Sequence, residues 1–321
     1  MLSHIARRAT LLIAWIAYVS LSPPLAGQTR PSGPAPGVLI DVGGYRLHLF
    51  CTGPASASAP TVILDAGAGA FSTAWSAVQQ ALPDIRTCAY DRAGWGWSEP
   101  GPGPRTITQE VFELHSLLRA AAISGPYVLV GHSYGGLLAR RYAALYGSEV
   151  VGMVLVDPAH EESRLYYVKQ GAWLRVREQS EGRSVPLPRP RSPGDTTMSF
   201  YDPARDYWGE EFQAFHDARL VKPRMLGDKP LVVLAAGRED PPPGVSPELW
   251  VQLRAERRAQ LADLTALSSQ ARLIRDSTSG HDIPKDDPQL IAACIAHVVN
   301  VSTGKKVIDL GARCVQASGA P

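Results

Sequence analysis

The stretch Tyr127-Val-Leu-Val-Gly-His-Ser-Tyr-Gly-Gly136 decides the fold of this chain. Tyr127–Val130 is apolar throughout, as a strand buried on both faces should be. Gly131-x-Ser133-x-Gly135 follows at once, and Leu137, Leu138 and Tyr142 continue with helical spacing. A serine hydroxyl is a poor nucleophile unless it is exposed and set beside a base. A sharp turn from strand to helix lifts it out of the sheet, and flanking glycines leave room for that strained backbone. Ser133 is therefore the candidate nucleophile.

Working outward, the pattern alternates. Toward the N-terminus, Val38–Val42 and Tyr45–Cys51 flank Gly43-Gly44 and read as a hairpin. Thr61–Leu64 reads as a strand running into Asp65-Ala-Gly-Ala-Gly69, and Ile85–Tyr90 as one running into Asp91-Arg-Ala-Gly-Trp-Gly-Trp97. Helical stretches fall near Trp75–Leu82 and after Thr106, whose partner Gln109 stands three residues on. Toward the C-terminus, Val150–Val156, Leu231–Ala235 and Arg272–Arg275 read as strands. Ser246-Pro247 and Asp287-Pro288 each open a helix. Apolar strands alternating with helices imply a mostly parallel sheet covered on both faces. Residues 158–228 break the rhythm, with polar and aromatic residues and a Pro-rich piece at Pro186–Pro193. They read as an insertion above the sheet, a lid between core segments 37–157 and 229–303, with 304–321 as a C-terminal tail. Its aromatics, Tyr166, Tyr167, Trp173, Phe200, Tyr201, Trp208, Phe212 and Phe215, either line an acyl pocket or fill the lid's own core.

A base should lie in a loop after a late strand. His160, His216, His281 and His297 follow the serine. His281 alone sits just past a strand, in Ser279-Gly-His-Asp282. His297 falls inside the last helix and His216 in the insertion, while His132 is expected to pack.

Three motifs in order, Gly131-His-Ser-Tyr-Gly-Gly136, Tyr90-Asp-Arg-Ala-Gly-Trp-Gly96 and Ser279-Gly-His281, resemble the α/β-hydrolase family over about residues 37–300. The likeness is strongest to bacterial serine hydrolases and esterases with this elbow. The resemblance implies an eight-stranded, mostly parallel sheet with helices on both faces and an inserted lid. It implies Ser-His-Asp chemistry without a cofactor, on a small-molecule ester or acyl substrate. The oxyanion donors would be the backbone amides of Tyr134 and of Ala68; many relatives carry His-Gly where this chain has Ala66-Gly67. Asp91 and Arg92 would brace the structure rather than react. Two positions fit the triad acid: Asp157, at the end of the strand after the nucleophile helix, and the alternative Asp240, in Gly237-Arg-Glu-Asp240, with Glu239 as a third. Asp157 is preferred. The family places the second and fourth strands side by side and antiparallel, which would bring Cys51 to Cys88. Cys294 on the last helix and Cys314 in the tail would form a second bridge.

Members with aspartate at the elbow, epoxide hydrolases and haloalkane dehalogenases, do not fit Ser133. Thioesterase, peptidase, carbon–carbon hydrolase and cofactor-free haloperoxidase activities remain open beside esterase, as does a non-catalytic binding protein on the same scaffold.

The bulk composition agrees. A chain of 321 residues, 45% of them hydrophobic, can bury one large core. Arg7 and Arg8 precede an apolar run from Ala9 to Leu21 and a small-residue exit at Ala26-Gly27. This reads as a secretory signal over 1–27 with a linker at 28–36, hence an exported, periplasmic or secreted protein. The run is shorter than the roughly 20 residues of a spanning helix; a membrane anchor arises only if the segment stays uncleaved. Without those two arginines, Lys+Arg falls from 32 to 30 against 30 Asp+Glu. A balanced charge gives no electrostatic reason to expect nucleic acid. With no Cys-x-x-Cys pair, His-Glu-x-x-His or P-loop, neither metal nor nucleotide is expected.

Overall fold

The computed structural model describes residues 33–56, 58–103, 105–162, 207–241 and 247–305. The segment expected to be a signal, most of the expected linker, much of the insertion and Cys314 lie outside them.

Eight strands form one sheet: β1 (Val38–Asp41), β2 (Arg46–Thr52), β3 (Thr61–Asp65), β4 (Thr87–Tyr90), β5 (Tyr127–His132), β6 (Val150–Val156), β7 (Leu231–Ala236) and β8 (Ala271–Asp276). Their order is β1-β2-β4-β3-β5-β6-β7-β8. β2 runs antiparallel to both β1 and β4, and every other pairing is parallel. The parallel strands therefore end at one edge, where a ligand crevice forms in this kind of sheet. The antiparallel register sets Cys51 opposite Cys88, and a disulfide joins them. Cys294 is buried on the last helix.

Alternation along the strands sorts the core into two layers. Ile63, Leu129, Leu155 and Val233 face α2 (Ile107–Ala120) and α3 (Tyr134–Leu145), which supply Leu114, Leu118, Leu137 and Tyr142. Val62, Val128, Val154 and Val232 face α1 (Ser76–Gln80) and the last helix, α7 (Pro288–Ser302), through Val78, Ile291, Ile295 and Val298. Each such side chain contributes about 1.5–3 kcal/mol on burial. Two further helices, α5 (Pro247–Asp263) and the short α6 (Ile283–Asp286), precede α7.

From the insertion the structure describes α4 (Tyr207–Val221). Phe212 and Phe215 join the main core beside α3, so these two fill neither an acyl pocket nor a separate lid core. Tyr166, Tyr167, Trp173, Phe200, Tyr201 and the Trp208 side chain lie outside the described residues. The Glu211 carboxylate reaches back to the first turn of α2 and accepts from the Thr108 amide at 2.7 Å. A buried ion pair, Arg140 with Glu161 at 2.8 Å, joins α3 to the chain after β6, and Arg219 of α4 meets the same carboxylate at 2.9 Å.

Candidate active site

Ser133 stands between β5 and α3 with φ 51° and ψ −115°, a conformation that L residues rarely adopt. The glycines around it make that turn possible. A Cβ at Gly131 would stand 2.2 Å from the Gly135 carbonyl oxygen, and one at Gly135 would stand 2.3 Å from the Asp65 carbonyl oxygen. Neither position has room for a side chain.

Asp157 ends β6, and its φ of 36° lies outside the extended region that a residue before proline prefers. Backbone bonds hold it there. The Asp157 amide donates to the Leu234 carbonyl at 2.7 Å, the Ser133 amide to Val156 at 3.0 Å, and the Ala159 amide to Ser133 at 2.9 Å. Beyond β8, the loop carrying His281 is tied to β7 through the Ser279 carbonyl, which accepts from the amides of Gly237 at 3.2 Å and Arg238 at 2.9 Å. Asp286 accepts the Gly280 amide at 2.9 Å. His132, expected only to pack, also bonds the His281 carbonyl through Nε2 at 2.8 Å. Burial, with His281 beside it, pushes the His132 imidazole down to about 4, so it is neutral and Nε2–H is the donor.

These three strand ends converge. His281 Nε2 lies 3.0 Å from Ser133 Oγ, and His281 Nδ1 lies 2.6 Å from Asp157 Oδ2. An ionised carboxylate only accepts, so Nδ1 carries the imidazole proton and Nε2 is left to accept from the serine hydroxyl. Burial pushes the Asp157 carboxyl up, but the His281 hydrogen bond, the Arg257 charge and the Ala236 amide outweigh it and hold the group at about 2. Asp157 is buried, whereas the His281 imidazole is 60% exposed.

The other sequence candidates stand apart. Asp240 is exposed, and Glu239 pairs with Arg254 at 2.9 Å and Arg275 at 3.6 Å. His160 meets Asp263 at 3.0 Å, His216 meets Glu162, and His297 is buried in α7.

The loop after β3 passes close over Ser133. A Cβ at Gly67 would stand 3.4 Å from Ser133 Cβ and 3.0 Å from His132 Nδ1. Ala68 is exposed in this loop, and among the described residues its amide meets no acceptor. Tyr134 opens α3 directly after Ser133, so its backbone amide lies beside the serine in the chain. Buried Arg92 holds the loop's shape: Nη1 donates to the Asp65 carboxylate at 2.7 Å and to the Ala66 carbonyl at 2.6 Å, and Nη2 to the Gly67 carbonyl at 2.7 Å. Asp91 accepts from the Ser72 amide at 2.7 Å and the Trp97 amide at 2.9 Å, and pairs with buried His48 at 3.0 Å. Both residues therefore brace loops from below.

Sequence reasoning missed Arg257, one of several arginines on α5. Its Nη2 donates to Asp157 Oδ1 at 3.0 Å and its Nη1 to the Pro158 carbonyl at 2.8 Å. Nothing in the local sequence of α5 separates it from its neighbours.

The profile described as "Alpha/beta hydrolase family" matches residues 62–294. The chain is 27% identical over 242 residues to the uncharacterized protein YqjL of Bacillus subtilis, spanning 75% of this chain and 84% of that one. Among solved structures it is similar to a thermophilic esterase from Thermogutta terrifontis, with TM-score 0.54, 19% identity, and coverage of 83% of this chain and 98% of the esterase. It is also similar to a meta-cleavage product hydrolase from Pseudomonas fluorescens IP01, with TM-score 0.55, 17% identity, and coverage of 84% and 99%. At such identities the two structures speak to the fold alone.

Proposed function

Because the chain belongs to the alpha/beta hydrolase family, we propose that it is a serine hydrolase cleaving a carboxylic ester through an acyl-enzyme on Ser133. His281 is its base, Asp157 the acid that orients the base, and the amides of Tyr134 and Ala68 its oxyanion donors. The observation that carries this reading is the continuous line from Ser133 Oγ through both His281 nitrogens to Asp157 Oδ2, with steps of 3.0 and 2.6 Å.

The steps follow from that line. As Ser133 Oγ attacks the ester carbonyl, its proton passes to His281 Nε2, and Asp157 stabilises the imidazolium that forms. Negative charge develops on the carbonyl oxygen, where fixed backbone donors contribute about 3–4 kcal/mol each. The intermediate collapses when Nε2 returns the proton to the leaving alcohol oxygen. Water then attacks the acyl carbonyl, giving a proton to the same nitrogen, and that proton returns to Ser133 Oγ as the acyl–oxygen bond breaks and the acid leaves. The separate strand ends keep all these groups in place before substrate arrives, so little reorganisation accompanies the reaction.

The insertion is read as a lid over this edge of the sheet, and the chain as exported. The Cys51–Cys88 disulfide supports export, since such bonds persist in oxidising compartments. Among the described residues no helix is long and apolar enough to cross a membrane.

A fluorophosphonate probe and a panel of p-nitrophenyl esters of rising chain length test the reading. The probe should label the parent at Ser133 and leave folded Ser133→Ala unlabelled, and at least one ester should turn over. Folded parent that neither labels nor hydrolyses any ester overturns it.

A further inference from the structure

The triad acid proposed above has a partner on its far side. Asp157 gives Oδ2 to His281, while Oδ1 accepts from Arg257 Nη2 at 3.0 Å and from the Ala236 amide at 3.3 Å. The second arm of the same guanidinium holds the Pro158 carbonyl at 2.8 Å. We propose that Arg257 is a positioning residue for the hydrolysis, gripping the Asp157 carboxylate and the next carbonyl together so as to fix the acid's turn and share its negative charge. The proposal rests on Asp157 serving His281 as its acid.

Two features of the site call for such a grip. Asp157 combines a positive φ with a following proline, so its turn is costly and must be held from outside. A planar guanidinium offers two donors at fixed spacing, which suits one side-chain and one backbone acceptor. The electrostatic consequence is separate. A lone buried carboxylate gives its whole charge to the imidazolium formed during reaction, whereas here a permanent cation takes part of it.

The other charged or titratable groups around the pair come from each neighbouring element. His132 from β5 is neutral through burial, Asp282 follows His281 in the chain, and Arg238 pairs with Asp286 at 3.4 Å across the Gly280 turn. Glu239 after β7 is matched by Arg254 and Arg275. Among the described residues none of these bonds Asp157 Oδ1, so Arg257 is the cation coupled to the acid.

The test is the pH dependence of kcat/KM on an active p-nitrophenyl ester, with melting temperature as a check of folding. Arg257→Gln keeps a donor but removes the charge. The midpoint of its acid limb, a property of the coupled pair, should rise by about half a unit to one unit, a range that allows for the guanidinium being 25% exposed. Arg257→Lys keeps the charge but lacks the rigid fork. Its acid limb should stay at the parental midpoint, while kcat falls about tenfold through misplacement of the acid. A parental limb in Arg257→Gln, or a limb that moves equally in Arg257→Lys, overturns the shared-charge proposal. Parental kcat in Arg257→Lys overturns the grip, and that arm stands even if Arg257→Gln does not fold. Failure of the underlying reading looks different, because Asp157→Asn, or Ser133→Ala, would then hydrolyse the ester as fast as the parent.

Discussion

The Ala159 amide donates to the Ser133 carbonyl at 2.9 Å, so the chain leaving β6 is fastened to the turn that carries the serine. Asp157 lies two residues before that fastening, and the Ser133 amide returns the contact to Val156 at 3.0 Å. The turns at Ser133 and Asp157 are thus one backbone unit, and the third strand end, with His281, docks against it. Displacing either half should misalign both.

Gly135→Ala tests that unit from the side of the elbow. The added Cβ would meet the Asp65 carbonyl oxygen at 2.3 Å, and backbone surrounds it with no flexible side chain to move away. Overpacking of this kind costs about 1–3 kcal/mol. The variant should melt lower than the parent and react with fluorophosphonate at least about tenfold more slowly, because β3 and the elbow must separate. Parental melting and labelling together would show that the close approach is not real.

Asp157→Asn and Asp240→Asn separate the two acids that the sequence offered. Removing the acid of a serine triad leaves the wrong imidazole tautomer and lowers kcat by about 10⁴ in serine proteases. Asp157→Asn should lose activity on that scale. Asp240, exposed on its loop, should tolerate the change with activity within about threefold, as surface substitutions generally do. The reverse pattern in steady-state assays would move the acid to the later strand.

Titration of the same carboxyl should be visible in stability. Its folded value of about 2 lies below the ordinary 3.8. A lowered folded value means that its stabilisation is complete above the unfolded value and fades as pH falls through the folded one. The loss should therefore fall between about pH 4 and pH 2, on the order of 2 kcal/mol for this buried group. Melting curves across that range should slope less steeply in Asp157→Asn. Equal slopes would mean that the carboxyl is not held by its neighbours.

Much of this architecture was legible because it rests on local pattern. Short apolar or β-rich runs gave every strand of the sheet to within two residues, and Thr106 caps its helix by accepting the Gln109 amide at 3.0 Å. Ser133 and His281 could be named as candidates because each sits in a turn with its own local signature. The preference for Asp157 over Asp240 could not be settled that way, since both follow strands and the choice depends on where the His281 loop comes to rest. Arg257 was invisible for the same reason: its partner is 100 residues away in sequence and it belongs to a helix rich in arginine. Phe212 and Phe215 illustrate the converse. Aromatic residues in an insertion suggest a pocket, yet the buried Glu211 carboxylate on the first turn of α2 docks their helix on the main core.

The disulfide offers a last prediction, free of any catalytic assumption. Cys51 and Cys88 face one another across β2 and β4 and close a loop with a sequence separation of 37. That loop contains β3 and the stretch after it whose carbonyls Arg92 holds, so its closure restricts the unfolded chain where native contacts are long in range. Chain-entropy reasoning gives about 4 kcal/mol for a loop of this size. Both half-cystines lie at the far end of their strands from Asp91 and Arg92, so the bond acts on stability and not on the site's geometry. The double variant Cys51→Ser, Cys88→Ser should therefore unfold at lower denaturant concentration than the parent, by about that free energy, while its kcat on any active ester stays within about twofold. Reductant should lower the parent's midpoint toward that of the double variant and leave the variant's own unchanged. A parent indifferent to reductant, with both thiols open to alkylation in the folded state, would show that the bond does not form.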